Sequence, residues 1–407
     1  MTKQEVINEL KSEQLPVIIQ GAGIVGKVLL ELCNKEGISV DCFCDYSEKS
    51  VQSHFCNLEV IHTSKLKKRY EDAKIIISSA AIKDSVDLLY DLGFTNWYSG
   101  GVLLKDVDVS QSQADVELDY KKFAIENCIL CHDGYMNPDK LFVRSVDLII
   151  TERCSLKCMD CSNLMQYYQA PQNCDKDMLL QSIDAFCATI DEVMDFRVIG
   201  GDVFMNKEWP IFVERLVNEP KAKRVVLYTN GTIVPHEKDL SLLKHHKILI
   251  IITDYKELSK NLTQLVDVCK REKIAYHVLN VDEWLDCAEI MPHNRTNEEN
   301  TQIYKDCCAK NMVTLSDGKL FRCPYAANAN RLSAIPDCKT DYVDLFQESL
   351  DCTSISATKA KVRDYIWHKG FLKACDFCSG RPLSGNEVKP AVQVDTPLPY
   401  RKYDAAE

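Results

Sequence analysis

Cys154, Cys158 and Cys161 stand in the run Thr151-Glu152-Arg153-Cys154-Ser155-Leu156-Lys157-Cys158-Met159-Asp160-Cys161, a C-x3-C-x2-C triplet. Three thiolates on one short loop can hold three corners of a [4Fe–4S] cluster and leave the fourth iron open. Such clusters ordinarily take four cysteines, so a vacancy points to a further ligand on that iron. A structural zinc site is the plain alternative. It wants four closed ligands, typically in two pairs, and no fourth ligand lies nearby in the sequence.

A second set is spread more widely. Cys308 is followed by Gly318 and Cys323 in the spacing C-x9-G-x4-C, and Cys375-Asp376-Phe377-Cys378 adds a distal C-x2-C. The stretch Val313 to Phe321 between them reads as a β-hairpin with an Asp317-Gly318 turn. By ligand count, four thiolates in two separated pairs bind zinc or a [4Fe–4S] cluster equally well. Cys307, adjacent to Cys308, is a substitute ligand, and Cys338 and Cys352 stay unassigned.

A third constellation opens the chain. Gly21-x-Gly23-x-x-Gly26 follows the apolar run Pro16 to Gln20, precedes an amphipathic stretch, and has Asp45 where a ribose-binding acid would lie. The helix start could receive a pyrophosphate. Three readings stay open for it: a nucleotide-sugar or related nucleotide, a nicotinamide dinucleotide, or glycines that only pack closely.

These residues need elements to hold them. Residues 1–105 alternate short strands (Pro16–Gln20, Val40–Cys44, Lys74–Ser78, Asn96–Tyr98) with helical stretches, as in a doubly wound Rossmann-like domain. Residues 106–140 read as a connector without strong periodicity. Alternation resumes over 141–298, with strands expected at Val143–Thr151, Phe196–Gly200, Arg224–Thr229, Ile248–Thr253 and Ala275–Leu279. That is an α/β pattern of barrel or partial-barrel type, whose chemistry gathers at the C-terminal strand ends. The triplet sits at the end of the first of these strands. Residues 299–385 form a cysteine-rich C-terminal extension, and 386–407 read as a flexible tail.

The triplet, so placed, resembles the signature of the radical S-adenosylmethionine (SAM) enzymes. The resemblance covers about residues 141–385. It implies a partial (β/α)6 TIM-type barrel, and SAM chelated to the open iron and split to a 5′-deoxyadenosyl radical that abstracts a C–H hydrogen. Val198-Ile199-Gly200-Gly201-Asp202 resembles the family's Gly-Gly-Glu motif, which implies that Gly200, Gly201 and Asp202 help to hold the SAM amino group. Tyr228-Thr229-Asn230-Gly231 resembles its Thr-Asn-Gly strand end, adding Thr229 and Asn230 to the SAM-binding set. The sequence departs from the family at Asp202, one methylene shorter than Glu, and at Asp160, where many members carry an aromatic residue. The set Cys308, Cys323, Cys375 and Cys378 resembles the SPASM and twitch extensions, in the shorter version, and implies one auxiliary [4Fe–4S] cluster. An external electron donor such as flavodoxin or ferredoxin is implied as well.

Composition agrees with an intracellular enzyme. The chain has 407 residues and 20 cysteines, and it begins Met1-Thr2-Lys3-Gln4-Glu5 without a signal-peptide layout. No run reaches the ~18 apolar residues of a membrane span. A cytoplasmic location is therefore the expectation, and cysteines there more often bind metal or do chemistry than pair as disulfides. A net charge of −11 without a basic stripe disfavours a nucleic-acid partner.

Other cysteines read as buried free thiols, including Cys128 and Cys131 of the C-x2-C-H run ending at His132, and Cys33, Cys42, Cys44, Cys56, Cys174, Cys187, Cys269 and Cys287. His277, Asp254 and Asp282 lie near expected strand ends and read as solvated loop residues rather than acid–base groups. The expectation is an oxygen-sensitive radical SAM enzyme of carbohydrate biosynthesis, acting on a sugar or nucleotide-sugar by epimerisation, dehydration or oxidation. Three alternatives stand beside it: a peptide maturase of the twitch or SPASM type, a NAD-dependent oxidoreductase with structural zinc, and a non-catalytic metal-binding adaptor.

Overall fold

The computed structural model describes residues 1–12, 15–46, 51, 54–346, 352–382 and 385–404, with backbone alone for 352–354. Two compact units result, Met1–Arg144 and Ser145–Glu407.

The first unit is built on six strands: β1 (Val17–Gln20), β2 (Cys42–Asp45), β3 (His54–Phe55), β4 (Leu58–His62), β5 (Lys74–Ile77) and β6 (Trp97–Ser99). Their order is β3-β4-β2-β1-β5-β6, and every pair is parallel except β3 with β4. The runs Val17-Ile18-Ile19 and Ile75-Ile76-Ile77 are buried throughout. Continuous apolar strands are what a parallel sheet covered on both faces requires. The helix Ile24–Glu36 starts directly after the glycine run.

The stretch read as a connector is instead structured. It carries the 18-residue helix Leu118–Tyr135, whose Ile125 and Cys128 join the core with Ile19, Val28 and Leu29. Its weak amphipathic signal follows from polar residues that it buries. Lys121 donates to the Ser112 carbonyl at 2.7 Å, and His132 is fully buried.

His132 Nδ1 faces the Ser99 hydroxyl at 2.8 Å and accepts from the Gly101 N–H at 3.2 Å, while Nε2 meets the Ser79 carbonyl at 2.9 Å. An acceptor on one nitrogen and a donor on the other define a neutral imidazole. Burial lowers its pKa from 6.5 to about 4. Above pH 6.5 this costs nothing. As pH falls from 6.5 toward 4, the unfolded chain takes a proton that the folded one refuses, and stability drops by up to about 3 kcal/mol. Urea midpoints between pH 7 and pH 4 check this: the acid-side loss should shrink in His132→Gln, whose amide can also accept and donate.

The second unit holds β7 (Phe142–Thr151, beginning just before the boundary), β8 (Glu192–Gly200), β9 (Ala222–Thr229), β10 (Ile248–Asp254), β11 (Tyr276–Asn280), β12 (Trp284–Leu285), β13 (Val313–Ser316), β14 (Lys319–Phe321), β15 (Tyr342–Asp344) and β16 (Glu387–Val388). Eight of them form one sheet in the order β11-β10-β9-β8-β7-β13-β14-β15. Strands β8 to β11 pair parallel in succession. The helices Lys176–Thr189, Trp209–Val217, Leu240–Leu243 and Leu262–Glu272 lie in the crossovers. The β/α run thus contributes five consecutive strands among the described residues. The parallel neighbour on the other side of β7 is β13, drawn from the cysteine-rich extension. β13 and β14 form the expected hairpin, with Asp317 at φ 50° and Gly318 at φ 76° in its turn.

Residues 386–404 are not loose. β16 pairs with β12, Met159 N donates to the Val392 carbonyl at 2.7 Å, and Val394 N donates to the Lys157 carbonyl at 2.8 Å. Farther on, the Tyr400 ring packs edge-on against Tyr167 at 5.8 Å. The segment's polar, proline-punctuated composition hid this, because its anchors are mostly backbone hydrogen bonds. No helix among the described residues is long and apolar enough to cross a membrane.

Candidate metal centre and ligand cavity

β7 ends at Thr151, and the chain turns directly into the loop that bears Cys154, Cys158 and Cys161. All three thiols line one cavity, with Gly200 and Gly201 from the end of β8, Thr229 and Asn230 from the end of β9, and Thr253 and Tyr255 from the end of β10. The triplet and both glycine-containing motifs therefore converge at the C-terminal strand ends.

The two glycines make this convergence possible. Gly201 N donates to the Thr151 carbonyl and Asp202 N to the Arg153 carbonyl, each at 2.9 Å. A Cβ on Gly200 would stand 2.1 Å from the Thr151 oxygen, and one on Gly201 would stand 2.0 Å from the Arg153 oxygen. Gly200 also holds φ +138°, a backbone region that side chains disfavour. The cysteine loop is laced to β8 through contacts that only hydrogen atoms fit.

Asp202 is placed differently from its expected role. Its side chain is 1% exposed and lies behind the cavity wall. One carboxylate oxygen accepts from the Thr229 hydroxyl at 2.8 Å and the Asn230 N–H at 2.9 Å, and the other accepts from the Phe204 N–H at 3.1 Å. Burial pushes its pKa up, and these three donors oppose that rise. With both oxygens engaged, Asp202 ties β8 to β9 instead of facing a ligand. Thr229 spends its hydroxyl on the same carboxylate. Asn230 remains on the wall, and its amide donates to Ser155 Oγ at 3.0 Å and toward Cys154 Sγ at 3.5 Å.

Each thiol of the triplet meets hydrogen-bond donors. Besides Asn230, Cys154 accepts from the Leu156 N–H. Cys158 accepts from the Gln393 amide at 3.2 Å. The backbone N–H groups of Asn163 and Met165 lie where they favour the Cys161 thiolate, while the Leu164 N–H donates to the Cys161 carbonyl at 2.9 Å. Burial nevertheless pushes all three pKa values up, that of Cys158 to about 11. Without a cation the sulfurs hold their protons; donors aimed at sulfur favour the thiolate that a bound metal demands.

Cys323, Cys375 and Cys378 line a second, apolar cavity. The cysteine that completes this wall is Cys307, not Cys308. The Cys308 thiol lies off this wall, and the Arg381 guanidinium favours the thiolate of both Cys307 and Cys308. The Cys375–Cys378 turn is fixed by Arg295, which donates to the carbonyls of both cysteines at 3.0 Å, and Asp376 accepts from Arg295 N at 2.7 Å. Tyr325, Leu372 and Ala374 belong to an apolar cluster against which cysteines of both sets pack. The side chain of Cys352 lies outside the described residues.

Among the described residues, no group of three or more His, Cys, Asp or Glu side chains closes on one point as the ligands of a single ion do. A cubane asks for another arrangement, because each thiolate takes its own iron at a separate corner. The donor chemistry around the triplet fits that group. No disulfide joins the described cysteines.

In the first unit, close packing accounts for two of the three glycines. A Cβ on Gly21 would meet Ser78 Oγ at 2.3 Å, and one on Gly26 would meet the Gly21 carbonyl at 2.1 Å, whereas Gly23 faces open space. Asp45 stands at the end of β2 and accepts from the Ala22 N–H of the glycine loop at 2.8 Å. Cys128 and Cys131 sit in the core helix with His132, as buried thiols.

Sequence reasoning missed several cavity residues: Asn163, Tyr255, Trp284 and Arg381. Tyr255 meets Trp284 edge-on at 5.5 Å, one residue past the Asp254 considered from the sequence. Asp254 itself pairs with Lys256 at 3.2 Å, Asp282 is exposed, and neither these nor His277 line the cavity. Proximity to expected strand ends was the available signal, and it cannot say which of two successive residues turns inward.

No family model and no curated protein matches the chain. Among solved structures it is similar to BtrN in complex with AdoMet and 2-DOIA, with 16% identity over 64% of this chain and 98% of that one, at a TM-score of 0.36. It is also similar to anSMEcpe with bound AdoMet and the Cp18Cys peptide, with 13% identity over 55% and 96%, at a TM-score of 0.34. Streptococcus suis SuiB bound to S-adenosylmethionine gives 12% identity over 70% and 79%, at a TM-score of 0.27. These overlaps are loose, and the functional reading rests on the residues of the site.

Proposed function

We propose that the chain is a radical SAM enzyme, with Cys154, Cys158 and Cys161 holding a [4Fe–4S] cluster. The observation that carries this reading is three thiols on one cavity wall, each supplied with hydrogen-bond donors, at the strand ends where the glycine motifs converge. Cluster and SAM together, when bound and reduced by an external donor such as flavodoxin or ferredoxin, supply a 5′-deoxyadenosyl radical able to take a C–H hydrogen.

The protein's part is holding and shielding. Gly200 and Gly201 keep the loop against β8 and offer a backbone edge to a ligand. Asp202 and Thr229 fix the end of β9, so that Asn230 reaches the loop. Tyr255 and Trp284 wall the cavity with rings that limit water. Cys307, Cys323, Cys375 and Cys378 would hold an auxiliary [4Fe–4S] cluster. The finer part of the proposal is a sugar or nucleotide-sugar substrate. Asp160, Ser162, Asn163, Thr253 and Arg381 on the wall supply polar groups suited to hydroxyls or an anionic substituent. The glycine loop of the first unit is a separate candidate site for a nucleotide or nucleotide-sugar.

Anaerobic reconstitution with iron and sulfide, followed by SAM and dithionite, tests this. We expect about eight irons per chain and release of 5′-deoxyadenosine. Cys154→Ala/Cys158→Ala/Cys161→Ala should halve the iron and abolish that product. Zinc in place of iron, with SAM left intact, would overturn the reading.

A further inference from the structure

We propose that Gln393, in the strap formed by residues 386–404 over the cysteine loop, is a positioning residue of the metal centre: its amide grips the loop and donates an N–H to the Cys158 thiolate, raising the cluster's reduction potential. This rests on the reading of Cys158 as a cluster ligand.

The amide can sit only one way round. Its oxygen accepts from Lys157 N at 2.8 Å, and its nitrogen donates to the Ala391 carbonyl at 2.7 Å and to Cys158 Sγ at 3.2 Å. A primary amide has two hydrogens, and both are used. Flipping it would set oxygen against the Ala391 oxygen and N–H against N–H. The backbone holds the strap in register, with Cys158 and Gln393 forming an antiparallel bridge flanked by the Met159–Val392 and Lys157–Val394 hydrogen bonds. Ala391, buried at 5% exposure, turns the chain into this register at φ +55°. That conformation is unfavourable for a residue with a Cβ, and observed strain of this kind clusters at functional sites.

The electrostatic consequence follows. A donor hydrogen beside sulfur stabilises the more negative, reduced cluster over the oxidised one. Hydrogen bonds to sulfur are among the features that set cluster potentials. Leucine at 393 fills similar space without an N–H, and glutamate replaces the donor with a negative charge.

The test is a redox titration of reconstituted holoprotein, following the electron paramagnetic resonance signal that SAM perturbs. Gln393→Leu should keep its iron and shift the midpoint to more negative potential, and Gln393→Glu should shift it further. Full iron with an unchanged midpoint in both variants would overturn the inference while leaving the enzyme reading intact. Should either variant fail to fold, the wild-type chain carrying 15N-glutamine decides: a 15N hyperfine coupling to the reduced cluster supports the contact, and its absence overturns it. A wild-type chain with no cluster on the triplet removes both readings together.

Discussion

Cys307→Ala is expected to leave reconstituted protein with about four irons of about eight, whereas Cys308→Ala keeps the full count. The contrast is large because the two residues are adjacent and chemically identical. Cys307 ends the helix Asn297–Asp306 with extended backbone, φ −70° and ψ 123°, and its thiol enters the wall shared with Cys323, Cys375 and Cys378. In extended backbone, successive side chains point to opposite sides, and Cys308 does not line that wall. Iron and acid-labile sulfide, counted on both variants beside the wild type, decide the matter. Equal iron in the two variants would show that either thiol serves. Loss confined to Cys308→Ala would restore the C-x9-G-x4-C spacing as the better guide.

That pair also marks where legibility in the sequence ended. Strands were readable wherever burial on both faces produced an unbroken apolar run, as at β1, β5 and β10. The Asp317-Gly318 turn was readable because its backbone conformation suits so few residues. Three thiols at a strand end were readable because cysteine at that spacing has few other uses. What escaped were choices of side and partner. Which of Cys307 and Cys308 faces inward depends on how a helix ends, and helix ends carry little sequence signal. The strap over the cysteine loop escaped because backbone groups, which every residue carries, anchor it. The helix Leu118–Tyr135 escaped because buried Lys121 and His132 blur its apolar face.

Asp202 provides the sharpest trial of partner choice, since two roles for it predict opposite measurements. As a contact to the SAM ammonium, Asp202→Ala would weaken SAM binding and leave the apoprotein's stability unchanged. The geometry gives the reverse emphasis. Removing the carboxylate strands the Asn230 and Phe204 N–H groups and the Thr229 hydroxyl, all on buried residues. Each buried donor left unpaired costs about 1–3 kcal/mol, so the metal-free protein should lose at least about 3 kcal/mol by thermal or urea unfolding. The damage then propagates: Asn230 loses its backbone anchor, its amide leaves Cys154, and the loop is held less firmly to the end of β9. Iron retention should therefore fall in Asp202→Ala even before SAM is added. Apoprotein with an unaltered unfolding midpoint would return Asp202 to the ligand side of the wall, because a carboxylate with three structural donors cannot be removed without cost.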